Sequence, residues 1–372
     1  MDGAVVIDLT ALDTIECIDS LDEIAVVGPG VLTGDLDRAA REQGLFYAPD
    51  PASAAISTIG GNVATNAGGM RCVKYGVTAD SILGLDVVLA DGRLLSTGRR
   101  TLKGVTGYDL TSLFVGSEGT LGVVVGATVR LRPVPADIAT ASAVFPGVEE
   151  AAQACADLVG RRLTPSLLEL LDARTLATID RAQGTDLSQR GGALLIAQAD
   201  GYDAHEQIAR IATVLQQRAS TVRVARDAEE SESLLAARRL ALPSIEAFGT
   251  ALIEDICVPR SRLAAAVRGV ERIASDTGVE IHTFAHAGDG NLHPIISYDR
   301  DLAAPPDPAH EAAGRIFALA HELGGTISGE HGVGSVKRSW AAAEIGETGL
   351  DVHRALKRAF DPWGLLNPGT AF

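Results

Sequence analysis

The segment from His286 to His293, HAGDGNLH, constrains the fold more than any other stretch of the 372 residues. An Asp-Gly pair between two apolar runs is typical of a two-residue β-hairpin turn, since type I′ turns need positive φ at both central positions. With Asp289 and Gly290 at the tip, His286 faces His293, and opposite Cβ atoms in such a pair lie about 4.5–5.5 Å apart. The sequence therefore predicts a hairpin that holds two imidazoles side by side.

Two imidazoles at this distance can share a divalent metal ion, with nitrogen–metal distances of about 2.0–2.1 Å. Farther along the chain, Glu330 and His331 are neighbours in the glycine-rich segment GEHGVG. Three metal ligands and one unligated base, drawn from these four residues, would form an open catalytic metal site. The ordinary alternative for two histidines near a hairpin is a structural role.

The bulk composition excludes several classes of protein. A hydrophobic fraction of 46% with 22% charged residues indicates a globular chain, and 372 residues exceed one ordinary core, so we expect two domains. The net charge of −16 argues against nucleic acid as a partner, because no basic field is available to neutralise phosphates. The same charge gives no support to adsorption on an anionic membrane.

The cysteines and the apolar runs bear on the cellular compartment. The four cysteines, Cys17, Cys72, Cys155 and Cys257, are far apart and form no C-x-x-C pattern, which excludes a zinc knuckle or an iron–sulfur site and favours a reducing compartment. No signal-peptide pattern follows Met1, and no apolar run reaches the roughly 20 residues of a transmembrane helix. We expect a cytoplasmic protein, free or peripheral to the inner face of the membrane.

Two further segments are rich in glycine. Residues 57–69, STIGGNVATNAGG, combine two Gly-Gly pairs with asparagines and hydroxyls, and residues 116–123 read GSEGTLGV. Such segments let backbone N–H groups approach a phosphate or a flat ring. Neither segment has the Rossmann or Walker spacing. The ordinary alternative is a tight turn.

The rest of the pattern predicts short strands alternating with helices. In the first part we expect a helix from Thr33 to Gln43, another near Asp109 to Phe114, and strands at 4–7, 14–18, 24–28, 82–89, 94–97 and from 123 to 131. The segment RPVP at 132–135 marks a domain boundary. In the second part we expect strands at 139–145, 167–171, 193–199, 221–225, 251–257, 279–286 and 292–297, and helices at 147–160, 203–219, 229–247, 261–277 and 309–323. A further helix is expected near 349–360. These units suggest an antiparallel sheet with helices packed on one side.

Together the motifs resemble those of the flavin-dependent 2-hydroxy-acid dehydrogenases of the vanillyl-alcohol-oxidase type, the family of the glycolate oxidase flavin subunit and D-lactate dehydrogenase. The matching motifs occur in the family's order and cover nearly the whole chain: PDPAS, TIGGN, NAGG, GSEGTLG, HAGDGNLH, GEHGVG and LLNPG. The resemblance implies an α+β fold with a PCMH-type FAD-binding domain over 1–135 and an α+β cap domain with an antiparallel sheet over 136–348. The cap domain would carry the substrate and metal site. Residues 349–372 would return to the flavin. The family has a further FAD subdomain before the position of Met1, so we expect the FAD domain to be N-terminally truncated.

The resemblance also implies site residues. FAD would lie against the glycine-rich segments and the closing LLNPG, near Pro51, Ser53, Thr58, Gly60, Gly61, Asn62, Thr65, Asn66, Gly68, Glu118, Gly119, Gly122, Val123 and Asn367. The resemblance implies that a divalent metal (Zn, Mn or Fe) binds to His286, His293 and Glu330, with His331 as the base. Arg238 would bind the substrate carboxylate. Its neighbour Arg239 could take that role instead, and the commoner fate of either arginine is a helix surface.

The implied reaction is oxidation of a small (R)-2-hydroxy acid to the 2-oxo acid, with hydride transfer to flavin N5. Some relatives carry a dicarboxylate-binding lysine near the position of Ile253, and its absence here favours a monocarboxylate, glycolate or D-lactate. Because the chain has no cysteine cluster, electrons must leave to an external acceptor: a partner subunit, a quinone, a cytochrome or an electron-transfer flavoprotein.

Two other functions stay open at this point. The chain could be a noncatalytic or FAD-deficient fragment of such an enzyme that acts as a partner-binding subunit. It could also be a metal-dependent hydrolase that uses Glu330 and His331, which would need neither a flavin nor an electron acceptor.

Overall fold

The computed structural model describes residues 3–101 and 103–371, which fold into two compact units. The first unit comprises Met1–Arg71, Tyr75–Val134 and Glu330–Phe372, and the second comprises Cys72–Lys74 and Pro135–Gly329. The chain thus passes from the first unit to the second within the segment RPVP. It returns to the first unit at Glu330, earlier than the boundary expected at residue 349.

The first unit is built on a five-stranded antiparallel sheet in the order β1-β2-β6-β4-β5, with β3 and β7 as a separate pair. The elements up to residue 134 are β1 (Ile15–Asp19), β2 (Ile24–Val27), α1 (Thr33–Arg41), β3 (Leu45–Phe46), α2 (Ile59–Thr65), α3 (Cys72–Tyr75), α4 (Thr78–Ser81), β4 (Ile82–Val88), β5 (Leu94–Ser96), α5 (Leu110–Phe114), β6 (Val123–Arg130) and β7 (Arg132–Pro133). Leu36 of α1, Ile59 of α2 and Phe114 of α5 are fully buried in the core with the apolar residues of the sheet.

The strand predicted at 4–7 is wrong. These residues lie in no strand, and the side chains of Val5 and Val6 are 88% and 89% exposed. β-branched residues favour extended backbone, but a strand also needs a hydrogen-bonding neighbour. Among the described residues, none supplies a ladder to this segment.

The second unit is an eight-stranded antiparallel sheet in the order β11-β8-β10-β9-β14-β15-β12, with β13 also paired to β15. Its elements are β8 (Ile138–Phe145), α6 (Val148–Gly160), β9 (Leu167–Asp172), α7 (Ala173–Gln183), α8 (Leu187–Arg190), β10 (Ala193–Asp200), α9 (Ala204–Leu215), β11 (Thr221–Val224), α10 (Ala228–Glu246), β12 (Thr250–Ile253), β13 (Ile256–Cys257), α11 (Leu263–Thr277), β14 (Glu280–His286), β15 (Asn291–Tyr298) and α12 (Asp307–Glu322). The strand predicted at 251–257 is divided by Glu254 and Asp255, and α7 was not predicted.

Helices cover both faces of this sheet, so the one-sided packing that we expected is wrong. Glu169 of β9 faces α10, where it binds Arg238, whereas the preceding residue, Leu168, lines a cavity with Leu158 and Val159 of α6. Successive residues of a strand point to opposite faces, and β9 is buried along its whole length. A sheet covered on both faces buries both sets of side chains.

The last segment belongs to the first unit and contains α13 (Arg338–Phe360), which breaks at Gly346, where φ is 74°. Lys357 near its end donates to the backbone oxygens of Thr120 and Leu366 and to the Asp361 carboxylate. These bonds attach the C-terminal turn to the second glycine-rich segment. Over the described part of the chain, no helix combines the length and apolarity that crossing a membrane requires.

Candidate active site

The predicted hairpin forms, but its register differs by two residues from the prediction. His286 pairs with Asn291, and Phe284 pairs with His293. The loop therefore has four residues, and the amides of Asp289 and Gly290 both donate to the His286 carbonyl, at 3.3 and 3.1 Å. Because side chains alternate with a period of two, this shift keeps both imidazoles on one face of the sheet. Their ring centroids are 5.0 Å apart at an interplanar angle of 84°.

Glu169 fixes the orientation of the first of these imidazoles. It lies opposite His286 in the pairing of β9 with β14, and its Oε1 is 2.6 Å from His286 Nδ1. A carboxylate only accepts, so Nδ1 carries the proton and donates it to Glu169. The lone pair of His286 is then on Nε2, which is the tautomer that a metal-binding histidine needs.

The same carboxylate binds Arg238 of α10. Arg238 Nε donates to Glu169 Oε2 at 2.6 Å, and the guanidinium carbon lies 4.2 Å from the centre of the Phe284 ring. Glu169 is fully buried and Arg238 is 8% exposed, so Arg238 is not a surface residue. Arg239, in contrast, pairs with Glu232 and has a side chain that is 54% exposed. The structure thus separates the two neighbouring arginines, and only Arg238 joins the histidine cluster.

A second buried acid lies beside the other imidazole. Asp255, at the break between β12 and β13, has its Oδ1 3.9 Å from His293 Nδ1 and accepts a hydrogen bond from Ser328 Oγ at 3.1 Å. The following residue, Gly329, packs so closely on Asn291 that an added Cβ would lie 2.2 Å from its Oδ1. The end of the second unit is thereby held against the start of β15.

Glu330 and His331 open the final segment of the first unit. Glu330 Oε1 lies 3.9 Å from His331 Nε2, and the two side chains are 15% and 41% exposed. The predicted ligands His286 and His293 belong to the second unit. Within one unit, the structure therefore brings together two of the three predicted metal ligands with the predicted substrate arginine.

Several predicted flavin residues hold the backbone of their own unit. Thr58 caps α2 by accepting from the Gly61 amide at 3.1 Å, and the buried Asn62 donates to Thr33 Oγ1 at 2.7 Å. Asn66 ends α2 with a left-handed φ of 53°, and its Oδ1 accepts from the Ala79 amide. The Asn62 and Asn66 side chains therefore have structural partners of their own.

The predicted glycines differ in the space around them. A Cβ on Gly60 would lie 2.6 Å from the Pro29 Cβ, so packing alone requires glycine there. Gly122 is similar, with Val87 Cγ1 at 2.3 Å. Gly61 is exposed, and its nearest atom, Thr58 Oγ1, would be 3.3 Å away. Of these three glycines, Gly61 alone is exposed, so its backbone is open to approach from solvent.

The other predicted flavin positions occupy turns and strand starts. Pro51 and Ser53 lie in the turn before α2, Thr65 and Gly68 at its C-terminal end, and Val123 at the start of β6. The Asn367 amide donates from Nδ2 to the Glu118 carbonyl at 2.6 Å, beside Gly119. This bond connects the closing LLNPG to the second glycine-rich segment.

Sequence reasoning missed Glu169, Asp255 and Phe284. A signal was present for the two acids, since Glu169 is the one charge inside LLELL and Asp255 interrupts an apolar strand pattern. Charged residues are almost never fully buried unless they are paired. Their partners lie on distant segments that periodicity does not reveal.

The fold agrees with comparisons to known proteins. Residues 134–371 match the family model described as the C-terminal domain of FAD linked oxidases, and residues 1–98 match an FAD binding domain. The chain belongs to the family of FAD-linked oxidases, and it is an FAD-dependent oxidoreductase.

Curated relatives are similar over most of their length. The glycolate oxidase subunit GlcD of Bacillus subtilis strain 168 is 42% identical over 375 residues, which cover 100% of this chain and 80% of the relative. A D-lactate dehydrogenase of Archaeoglobus fulgidus is 37% identical over 357 residues, which cover 95% of this chain and 78% of the relative. Among solved structures, 4-ethylphenol oxidase from Gulosibacter chungangensis has a TM-score of 0.74 at 19% identity, over 96% of this chain and 78% of that one. p-Cresol methylhydroxylase has a TM-score of 0.77 at 17% identity, over 97% of this chain and 78% of that one. These two structures share the PCMH-type fold.

Proposed function

We propose that this protein oxidises a small (R)-2-hydroxy acid to the corresponding 2-oxo acid, with FAD as the hydride acceptor. The relatives named glycolate oxidase subunit and D-lactate dehydrogenase support this substrate class. The observation that carries the proposal is the Glu169 carboxylate, which binds Arg238 and His286 at 2.6 Å each. One buried acid thus orients a group suited to a carboxylate beside a group suited to a metal.

Arg238 would bind the substrate carboxylate. Its hydrogen bond to Glu169 uses Nε, and among the described residues its terminal Nη atoms have no other hydrogen-bond partner. A guanidinium can present these atoms to a carboxylate in bidentate fashion. Packing on the Phe284 ring and the bond to Glu169 leave the guanidinium little freedom, so its position is set before substrate arrives.

The donor set fits a divalent metal. His286 offers Nε2 because Nδ1 is bound to Glu169, and His293 lies on the same face of the sheet. We propose Glu330 as the third ligand, since it follows Gly329, which packs on Asn291 beside the hairpin. Two imidazoles and a carboxylate suit Zn, Mn or Fe. Asn291 Oδ1 is buried and, within the described residues, has no hydrogen-bond partner, which supports a polar ligand nearby.

His331 would take the proton of the substrate hydroxyl. Its side chain is 41% exposed, so the imidazole is accessible to a substrate, and histidine is the side chain that most often serves as a general base. When bound, FAD supplies the hydride acceptor and the metal supplies a Lewis acid that acidifies the hydroxyl. The chain's residues then have three tasks: Arg238 orients the acid, Glu169 orients Arg238 and His286, and His331 accepts the proton.

The flavin would lie along the two glycine-rich segments. Gly61 offers the open approach described above, and we propose that the other predicted positions around α2, the GSEGTLGV segment and Asn367 line the same site. The reduced flavin would pass electrons to an external acceptor. No disulfide joins the four cysteines, and no group of possible metal ligands among the described residues includes a cysteine, which favours a separate partner over an internal relay.

We further propose that the substrate is a monocarboxylate such as glycolate or D-lactate. Ile253 at the end of β12 offers no charge to a second carboxylate. Dicarboxylates such as D-2-hydroxyglutarate should therefore be used less well than D-lactate, by a factor of about ten or more, the effect of one unpaired buried charge.

The test is turnover of the FAD-loaded protein with glycolate or D-lactate and a dye acceptor. His331→Ala should lower kcat by about 10²–10⁴-fold, the usual contribution of a general base, while flavin content stays the same. His205→Ala, at an exposed helical position, is the matched control and should keep full activity. Unchanged turnover in His331→Ala with FAD bound would refute the base assignment.

Metal binding has its own measurement. Elemental analysis should find about one metal per chain in the wild type and much less in the His286→Ala/His293→Ala variant, because two of three proposed ligands are lost. Equal and near-zero metal in both proteins would remove the metal from the proposal and leave the flavin chemistry to be tested separately.

A further inference from the structure

Glu118 makes an arrangement that flavin binding alone does not account for. Its two carboxylate oxygens accept hydrogen bonds from consecutive backbone amides, those of Val333 and Gly334, at 2.7 Å each. Bonds from amides to an ionised carboxylate are about twice as strong as bonds between neutral groups. These two amides follow His331 by two and three residues, so the carboxylate holds the loop that carries the proposed base.

The backbone of Glu118 joins two other segments at the same point. Its amide donates to the Ala64 carbonyl of α2 at 2.8 Å, and its carbonyl accepts from Asn367 Nδ2 at 2.6 Å. One residue therefore connects the first glycine-rich segment, the loop after His331 and the closing LLNPG.

The conformation of Glu118 is itself unfavourable. Its φ is 51°, a left-handed value that side chains with a Cβ rarely adopt, and Asn66 and Asn367 nearby have φ values of 53° and 39°. Strained residues persist where surrounding contacts hold them, and they concentrate at functional sites. Glycine would fit this position without strain. Glutamate differs from glycine here by its long side chain, whose carboxylate reaches the loop.

The loop needs such a restraint. Gly332 and Gly334 flank Val333 with φ values of 83° and 54°, and glycines leave a backbone free to move unless something holds it. We call the two hydrogen bonds from Val333 and Gly334 to the Glu118 carboxylate the clamp. Gly332 also lies against it, since an added Cβ would be 3.0 Å from Glu118 Oε1. The carboxylate binds the loop on both sides of Val333.

We propose that Glu118 is a positioning residue that fixes the loop from Glu330 to Gly334 and so sets the place of the His331 imidazole. This role rests on the proposed function of His331 as base, and it differs from a contact to the flavin. Misplacing a reacting group by about 1 Å can lower a rate by about a hundredfold. Loss of the clamp should therefore lower kcat while substrate binding through Arg238 is unaffected.

The test compares Glu118→Gln and Glu118→Asn with Glu42→Gln, an exposed glutamate at the end of α1. Glutamine keeps the length but only one acceptor oxygen, and asparagine tolerates the left-handed backbone but is too short to reach the loop. Asparagine therefore removes the clamp at a conformation that it can adopt, which separates the clamp from folding.

Two measurements are made on each full-length protein. Hydrogen exchange of the Val333 and Gly334 amides should accelerate by about tenfold or more in Glu118→Asn, less in Glu118→Gln, and not in Glu42→Gln. In the FAD-loaded proteins, kcat should fall in the same order, by about tenfold or more for asparagine, with KM and the flavin-to-protein ratio within about twofold of wild type.

The outcomes separate the clamp from the proposed function. Unchanged exchange in Glu118→Asn overturns the clamp, whatever the activity. Loss of flavin with unchanged exchange overturns it in favour of a cofactor contact. If the wild type shows no turnover with any 2-hydroxy acid, the proposed function fails, and accelerated exchange would still establish that Glu118 holds the loop.

Discussion

Glu169 is the residue on which the histidine and arginine cluster depends. It is fully buried, and its two oxygens are divided between Arg238 and His286. Burying a carboxylate is unfavourable unless it is paired and hydrogen-bonded, and here both oxygens are bound. The residue therefore acts on stability and on site geometry together, although its place in LLELLD shows only an isolated charge and not its partners.

Replacing Glu169 with alanine should lower the free energy of unfolding by about 3–5 kcal/mol, because Arg238 would be left as an unpaired buried charge. The neighbouring pair provides a control: Glu232→Ala breaks the exposed pair with Arg239 and should cost less than about 1 kcal/mol. Urea denaturation of the two variants measures both values. Equal costs would mean that the buried pair contributes no more than a surface pair.

At the scale of elements, the four-residue loop between β14 and β15 sets the register of the hairpin. The Asp-Gly signal predicted the hairpin and the shared face of the two histidines but placed them directly opposite each other. The loop instead closes with two bonds to the His286 carbonyl, and the tight turn at Gly290 packs so that a Cβ would lie 2.1 Å from the Val258 oxygen. The loop thus packs against the segment after β13, a contact that turn propensity alone does not reveal.

A second element-scale feature is the junction between β9, α7 and β14. Asp172 ends β9, caps α7 through the Thr175 amide and accepts from the Thr283 amide of β14. Burial raises the pKa of this carboxyl to about 6, against the opposing hydrogen bonds from Thr175 and Thr283. A raised acid pKa means that folding favours the protonated form. The stabilising contribution of Asp172 to the free energy of unfolding is full below pH 3.8, the pKa of the unfolded state. It is lost as the pH rises through about 6, the pKa of the folded state.

The Asp172→Asn variant removes this ionisation. The wild type should lose about 2 kcal/mol of unfolding free energy relative to the variant between pH 4.5 and pH 7, since only the wild type must ionise a buried carboxyl. Denaturant titrations of both proteins at the two pH values provide the difference, in which other titrating groups cancel. A difference that is constant with pH would mean that Asp172 ionises without penalty in the folded protein.

At the scale of the whole molecule, the sequence predicted much of the architecture. Short apolar runs located most strands of the second sheet, and the RPVP segment marked the passage between the units. The sequence did not predict α7, which follows β9 with no intervening turn signal, or the return of the chain to the first unit at Glu330. Both depend on contacts between distant segments.

The site shows the same division. Short motifs predicted His286, His293, Glu330 and His331 as site residues, because their residue types and glycine-rich surroundings are local features. Glu169 was not predicted, and Glu118 was predicted only as a flavin residue. Each binds residues that lie 69 to 216 positions away in the chain. Local patterns thus predict candidate groups for the chemistry, and the folded chain shows which buried groups hold them in place.

The most direct test of the proposed function is anaerobic mixing of the FAD-loaded protein with D-lactate or glycolate, followed through the visible absorption of the flavin. We expect the oxidised flavin band to disappear with at least one of the two acids, far more slowly in His331→Ala, and to persist with L-lactate. A flavin that stays oxidised with both acids, in a protein that retains bound FAD, would contradict the proposal that this chain transfers hydride from a small (R)-2-hydroxy acid.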